Sequence, residues 1–223
     1  TSTYAEVELL ASMYRQALAQ SDMVGLCVGT RPDCVPPAAL DLLTGYREEG
    51  YEVWLELGLQ TAHDKTLKRI NRGHDFRCYQ QTAQRARQRG LKVCCHLIVG
   101  LPGETQRDHL LTLQRVVESG VDGIKLHPLH VVTGSTLARA WRAGRLPELA
   151  LEDYAVSAGE MIRHTPGEVV YHRLSASARR PTLLAPLWCE NRWRGMQAVG
   201  AYLQQYGGQG SALDAALHYS PTL

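Results

Sequence analysis

Apolar and polar positions alternate along this chain in two distinct rhythms. Short runs rich in Val, Leu, Ile and Cys recur: MVGLCVG (23–29), EVWLELG (52–58), KVCCHLIV (92–99), DGIKLHPLH (122–130) and GEVVYH (167–172). Their length and composition predict strands. Between them the apolar residues space out to a helical period. PPAALDLLTGYREEG (36–50) carries two prolines at a helix start and Gly50 just past its end. A short basic helix follows Asp64 and closes near Gly73; another runs from Phe76 to Arg89 and stops at Gly90. In TQRDHLLTLQRVVESG (105–120), Thr105 and Asp108 have capping-box spacing, and Leu110, Leu113 and Val117 form the expected inward stripe. A further helix is expected around 151–163. KVCCHLIV is nearly all apolar, as a strand buried on both faces should be.

Strands that alternate with helices imply a parallel sheet joined by right-handed crossovers. Five such units fall short of an eight-stranded barrel, which takes about 250 residues. An open α/β sheet and an incomplete barrel remain as the two architectures. Residues 1–165 are expected to form this body, with 166–223 a C-terminal extension packed on or beside it.

Composition narrows the partners. Lys plus Arg number 24 against 22 Asp plus Glu, so no whole-molecule field calls for nucleic acid or a membrane. None of the six cysteines forms a C-x-x-C pair, and adjacent Cys94 and Cys95 would point to opposite faces of a strand. Reduced thiols in a cytoplasmic protein are expected. No signal-peptide pattern or bilayer-length apolar run is present.

In either architecture, function gathers at the carboxyl ends of the strands. Those ends read GTRPDC (29–34), ELGLQTAHD (56–64), HLIVGLPGET (96–105) and KLHPLHVVTGS (125–135). Turn and cap chemistry accounts for any one of them. Four on one rim, each with a hydrogen-bonding side chain, favour a shared pocket. Gly100 and Gly103 allow close backbone approach, and the helix after them could meet an anion with its free N–H groups. His127 and His130 suit a polar pocket lining better than a metal, since no third ligand sits at a diagnostic spacing. His96 reads equally as a core or a pocket residue. Arg173, Arg179, Arg180, Arg192 and Arg194, interleaved with Trp188 and Trp193, suit phosphate contact with base stacking, an anionic small substrate or a packed subdomain.

Taken together, GTRPDC, ELGLQTAHDKTLKRINRGH, HLIVGLPGET and GIKLHPLHVVTGS resemble the radical S-adenosylmethionine (SAM) superfamily. They are similar to its YhcC-type bacterial branch, related to the Elongator catalytic subunit and the oxygen-independent coproporphyrinogen oxidases. The resemblance implies a partial (β/α)6 barrel with SAM across the strand ends, chelating one iron of a [4Fe–4S] cluster and cleaved to a 5′-deoxyadenosyl radical. It implies that Gln60 contacts SAM and that His96 stands where an aspartate usually reaches the ribose. Glu56 and Arg31 are plausible further contacts by position, and Gly100 and His130 complete the expected cofactor set. Thr1, Ser2 and Thr3 resemble the end of the strand facing the SAM amino group.

One departure stands out. The family holds its cluster with three cysteines spaced C-x3-C-x2-C, a spacing absent from this chain. The resemblance places that motif upstream of Thr1, so these 223 residues are expected to lack the first barrel strand and to be inactive alone. An electron donor such as flavodoxin or ferredoxin would serve the whole protein. A dimer through the exposed barrel edge is expected. The resemblance leaves the substrate unknown, with kinship pointing to a small anionic molecule on one side and tRNA on the other. Two rival functions are a non-catalytic binding or regulatory protein on the same scaffold and a non-radical barrel aldolase or isomerase, for which Lys125 is the one lysine inside a strand.

Overall fold

The computed structural model describes residues 2–213. Its elements alternate as the hydrophobic pattern requires: α1 (Val7–Leu18), β1 (Gly25–Thr30), α2 (Pro37–Glu48), β2 (Glu52–Gln60), α3 (Asp64–Arg69), α4 (Phe76–Gln88), β3 (Lys92–Val99), α5 (Gln106–Glu118), β4 (Gly123–Pro128), β5 (Val131–Val132), α6 (Thr136–Arg142), α7 (Leu151–Arg163), β6 (Val170–Arg173), β7 (Leu183–Ala185) and α8 (Arg192–Tyr206). Local chemistry sets several boundaries. Pro37 opens α2. Asp75 caps α4 by accepting the Cys78 N–H at 2.8 Å, and Asp64 accepts the Phe76 N–H at 2.8 Å. Among the described residues no helix is long and apolar enough to cross a membrane.

Strands β1, β2, β3, β4 and β6 form one sheet in that order, every pair parallel. Because the order never reverses, right-handed crossovers return every helix to the same face. That is the connectivity of a barrel wall, and it favours the incomplete barrel over the doubly wound sheet. The helix-facing residues of the strands are apolar: Val53, Leu55, Leu57 and Leu59 on β2; Val93, Cys95, Leu97 and Val99 on β3; Ile124 and Leu126 on β4. They share one core with Leu40 and Leu43 of α2, Tyr79 and Ala83 of α4, Leu113 and Val116 of α5, and Tyr154 and Met161 of α7. Each fully buried leucine there contributes about 1.5–3 kcal/mol.

The opposite, concave wall is different. It carries Glu52, Trp54 and Glu56 from β2, Lys92, Cys94 and His96 from β3, and Lys125 and His127 from β4. The expectation that β3 is buried on both faces holds only in part: Cys94 is buried on the concave face, but Lys92 is exposed and the His96 side chain is 24% exposed. A second correction concerns the N-terminus. Ser2–Tyr4 is a 3-10 turn and not a strand end, while Thr1 lies outside the described residues. Beyond residue 165, β6 joins the main sheet through β4, β7 pairs antiparallel with β5, and α8 lies along α7. Gly159 of α7 makes that last contact close: a Cβ there would come within 2.2 Å of Tyr202.

Candidate functional site

Parallel pairing stacks the concave side chains in layers. One layer reads Gly29, Glu56, Cys94 and Gly123 across the sheet; the next, nearer the carboxyl rim, reads Gly58, His96, Lys125 and Arg173. Glu56 is buried at 7% exposure and reaches up between these layers. Its Oε1 accepts from Lys125 Nζ at 2.5 Å and its Oε2 from His96 Nε2 at 3.2 Å. The His96 hydrogen bond, together with the hydrogen bond and charge of Lys125, overcomes burial and holds the carboxyl at a pKa of about 2. An ionised carboxylate only accepts, so His96 must carry its proton on Nε2. Lys125 is consumed by the same ion pair, which leaves no free amine for a Schiff base.

His96 stacks on His127, ring centroids 5.9 Å apart and 20° from parallel. Arg173 donates to His127 Nε2 at 3.0 Å. Burial, reinforced by the Arg173 charge, lowers the His127 pKa to about 4, so the ring is a neutral acceptor near pH 7. Trp54 and His172 meet edge to face at 4.3 Å over Gly123, where a Cβ would strike both rings.

Gly58 defines the middle of the rim. A Cβ there would lie 2.5 Å from the Arg72 guanidinium and 3.1 Å from the Gln60 amide nitrogen, so both groups overhang the glycine on the concave side. Arg72 Nε donates to the Gly58 carbonyl at 3.1 Å, and His74 Nε2 stands 3.3 Å from that same oxygen. Gln60 itself adopts φ +83°, a left-handed conformation that is uncommon outside glycine. Such backbone persists where surrounding structure holds it, and it concentrates at functional sites.

The expected site residues separate into groups. Glu56, Gln60 and His96 share the concave wall. Thr3 is buried where β1 ends, its Oγ1 2.6 Å from Thr30 Oγ1 and donating to the Cys34 carbonyl at 2.5 Å. Arg31 forks onto Asp33, with Nε 2.9 Å from Oδ1, and lies against Gly73. Gly100 goes elsewhere: its N–H points to His109 Nε2 at 3.4 Å, and a Cβ would lie 2.9 Å from Leu149, in a separate cavity of about 570 Å3. The turn at the start of α5 is capped internally, since Asp108 Oδ2 accepts from Thr105 N–H and Oγ1, each at 2.7 Å. His130, Arg173 and Arg192 line a cavity beside β4 and β6. Arg180 pairs with Glu190 at 2.9 Å, and Arg179 and Arg194 lie outside that cavity. Sequence reasoning did not single out Arg72, His74, Trp54 or His172. The first two sit in a loop that periodicity cannot orient; alternation along β2 and β6 could have found the others.

The donor set answers the question of an iron cluster. Among the described residues, the one group of three His, Cys, Asp or Glu ligand atoms close enough to share an ion is Glu56, Cys94 and His96. It holds a single thiol, raised to about 12 chiefly by burial and then by Glu56, and its carboxylate is already paired with Lys125. These residues do not fit a cluster that needs several thiolates. At the rim the Arg72 guanidinium and the Gln60 amide lie over buried Gly58, polar groups that suit a nucleoside or amino-acid ligand better than a cluster.

With this geometry in place, comparison with known proteins defines the class. Residues 1–116 match the Radical SAM superfamily model and residues 121–205 the Radical_SAM C-terminal domain. The chain belongs to the radical SAM superfamily. It is 74% identical over 213 residues to protein YhcC of Escherichia coli K12, a match covering 96% of this chain and 69% of YhcC. It is 36% identical over 207 residues to the uncharacterized protein YtqA of Bacillus subtilis, covering 93% of this chain and 64% of YtqA. The solved structure of Elp3 from the archaeon Methanocaldococcus infernus, with an N-terminal deletion, shares the fold at TM-score 0.66 and 23% identity, over 82% of this chain and 42% of that one.

Proposed function

We propose that this chain supplies the SAM-binding wall of a radical SAM enzyme, with the cofactor lying across the carboxyl ends of β2 and β3. The carrying observation is Gly58, whose missing side chain lets the Arg72 guanidinium and the Gln60 amide lie over the strand end beside its cross-strand partner His96. An amide both donates and accepts, so Gln60 can meet either half of an amino-acid zwitterion. His96, held by Glu56, keeps a fixed orientation toward a ribose or methionyl group. Glu56 and Lys125 serve as positioning residues beneath it. Thr3 and Arg31, engaged with Thr30 and Asp33, shape the neighbouring rim. What SAM supplies when bound is a sulfonium nucleoside capable of yielding the 5′-deoxyadenosyl radical; the protein groups bind and orient it. Cluster ligands are not among the described residues, so the reading assigns this chain the nucleoside and not the iron.

Isothermal titration calorimetry with SAM tests this. Saturable one-site binding is expected for the native chain. Gly58→Val should weaken it at least tenfold, equivalent to about 1.4 kcal/mol, with an unchanged circular dichroism spectrum. Equal affinity in the folded variant, or no saturable binding by the native chain, overturns the reading.

A further inference from the structure

Beyond the rim lies a second concavity that the cofactor reading leaves unassigned. It has a volume of about 680 Å3, and His127, His130, His172, Arg173, Arg192 and Trp193 lie on its wall. Neither Asp nor Glu lines it. Arg173 spends one N–H on His127 and keeps the rest of its fork. Arg192 lies over the Trp193 ring at 5.0 Å. At the inner wall, His130 Nε2 is buried without a hydrogen-bond partner. Its ring is bonded to the Ala176 backbone, and burial favours its neutral form. A buried acceptor of that kind requires a donor from water or from a ligand.

The geometry points to a binding site for a small anionic substrate, a carboxylate or phosphate gripped by Arg173 and Arg192, whose own N–H or O–H reaches His130. This deepens the proposed function and rests on it, since the cavity adjoins the SAM wall through the stacked pair His96 and His127. A polyanion fits less well. The remaining arginines of the segment do not extend the site into a track: Arg180 is neutralised by Glu190, and Arg179 and Arg194 lie outside. The charge is concentrated in a recess and not spread along a surface.

The test uses the folded chain and four probes in calorimetry: ribose 5-phosphate, 4-hydroxybenzoate, neutral ribose and a 20-residue oligouridylate. At least one small anion should bind at a single site, ribose should not, and Arg173→Gln should weaken the anion at least tenfold, with Arg173→Lys recovering part of the loss. Saturating SAM should leave the anion bound. Three results overturn the proposal: no binding of either small anion, no effect of Arg173→Gln, or tighter binding of the oligonucleotide, which would assign the site to nucleic acid. Displacement of the anion by SAM also overturns it, by giving the cavity to the cofactor. Anion binding that persists while the chain fails to bind SAM would sink the cofactor reading alone.

Discussion

Both oxygens of Glu56 are claimed from across the sheet, one by Lys125 and one by His96. This couples the orientation of a proposed cofactor contact to a buried charge. In the unfolded chain the carboxyl binds a proton below about pH 4.5, whereas in the folded chain it does so only below about pH 2. Between those values the unfolded state holds more protons. The stabilisation is thus complete above pH 4.5 and is lost as pH falls toward 2. Glu56→Gln would leave the Lys125 ammonium without its partner, and it should cost about 3 kcal/mol at pH 7. Urea unfolding from pH 7 down to pH 3 checks this. The gap between native protein and variant should be constant from pH 7 to 5 and shrink below 4.5; a gap that stays flat to pH 3 would show that the carboxylate is not the source.

At the scale of elements, α5 shows that the residues of a strand-end loop can be accounted for by capping. GLPGET leads into a helix whose first-turn donors meet Asp108 and Thr105, so its capping serves folding. Thr105→Ala should lower unfolding free energy by about 1 kcal/mol and leave SAM affinity unchanged, measured by urea titration and calorimetry side by side. A loss of SAM binding in that variant would restore the loop to the site. The same helix marks where periodicity blurs. Leu113 is fully buried as expected, but the inward positions beside it are His109, Thr112 and Val116, with Leu110 and Val117 on the flanks. The central strands and their helices were legible because apolar alternation and end signals agreed; the 92–99 run is β3 without adjustment. Helix α8 was not, since RWRGMQAVGAYLQQY lacks a strong apolar stripe and folds against α7 through close contacts such as Gly159 with Tyr202. At the strand ends, Glu56 and His96 face one wall because the strand period fixes their direction, whereas Gln60 follows a register shift and adopts φ +83°. Gly100 lies in a turn, where the backbone path and not the period decides which side a residue faces.

For the molecule as a whole, the sheet has two unlike edges. At one end, β6 is four residues long and its pairing with β4 shifts register between Ile124 and Lys125, which interrupts a flat template. At the other, β1 presents six residues and, among the described residues, has no strand on its outer side. The approach to it is apolar: Val24 is 83% exposed and Met23 45%. An edge strand can template pairing with a strand of another chain, including another copy of this one. Sedimentation velocity should therefore show the chain self-associating as concentration rises toward roughly the millimolar range. Val24→Lys places a charge at the head of that edge without disturbing a buried contact, and it should shift the population toward monomer. A native chain that sediments as a monomer throughout would mean that β1 is already protected. If association persists unchanged in Val24→Lys, the contact lies on another surface.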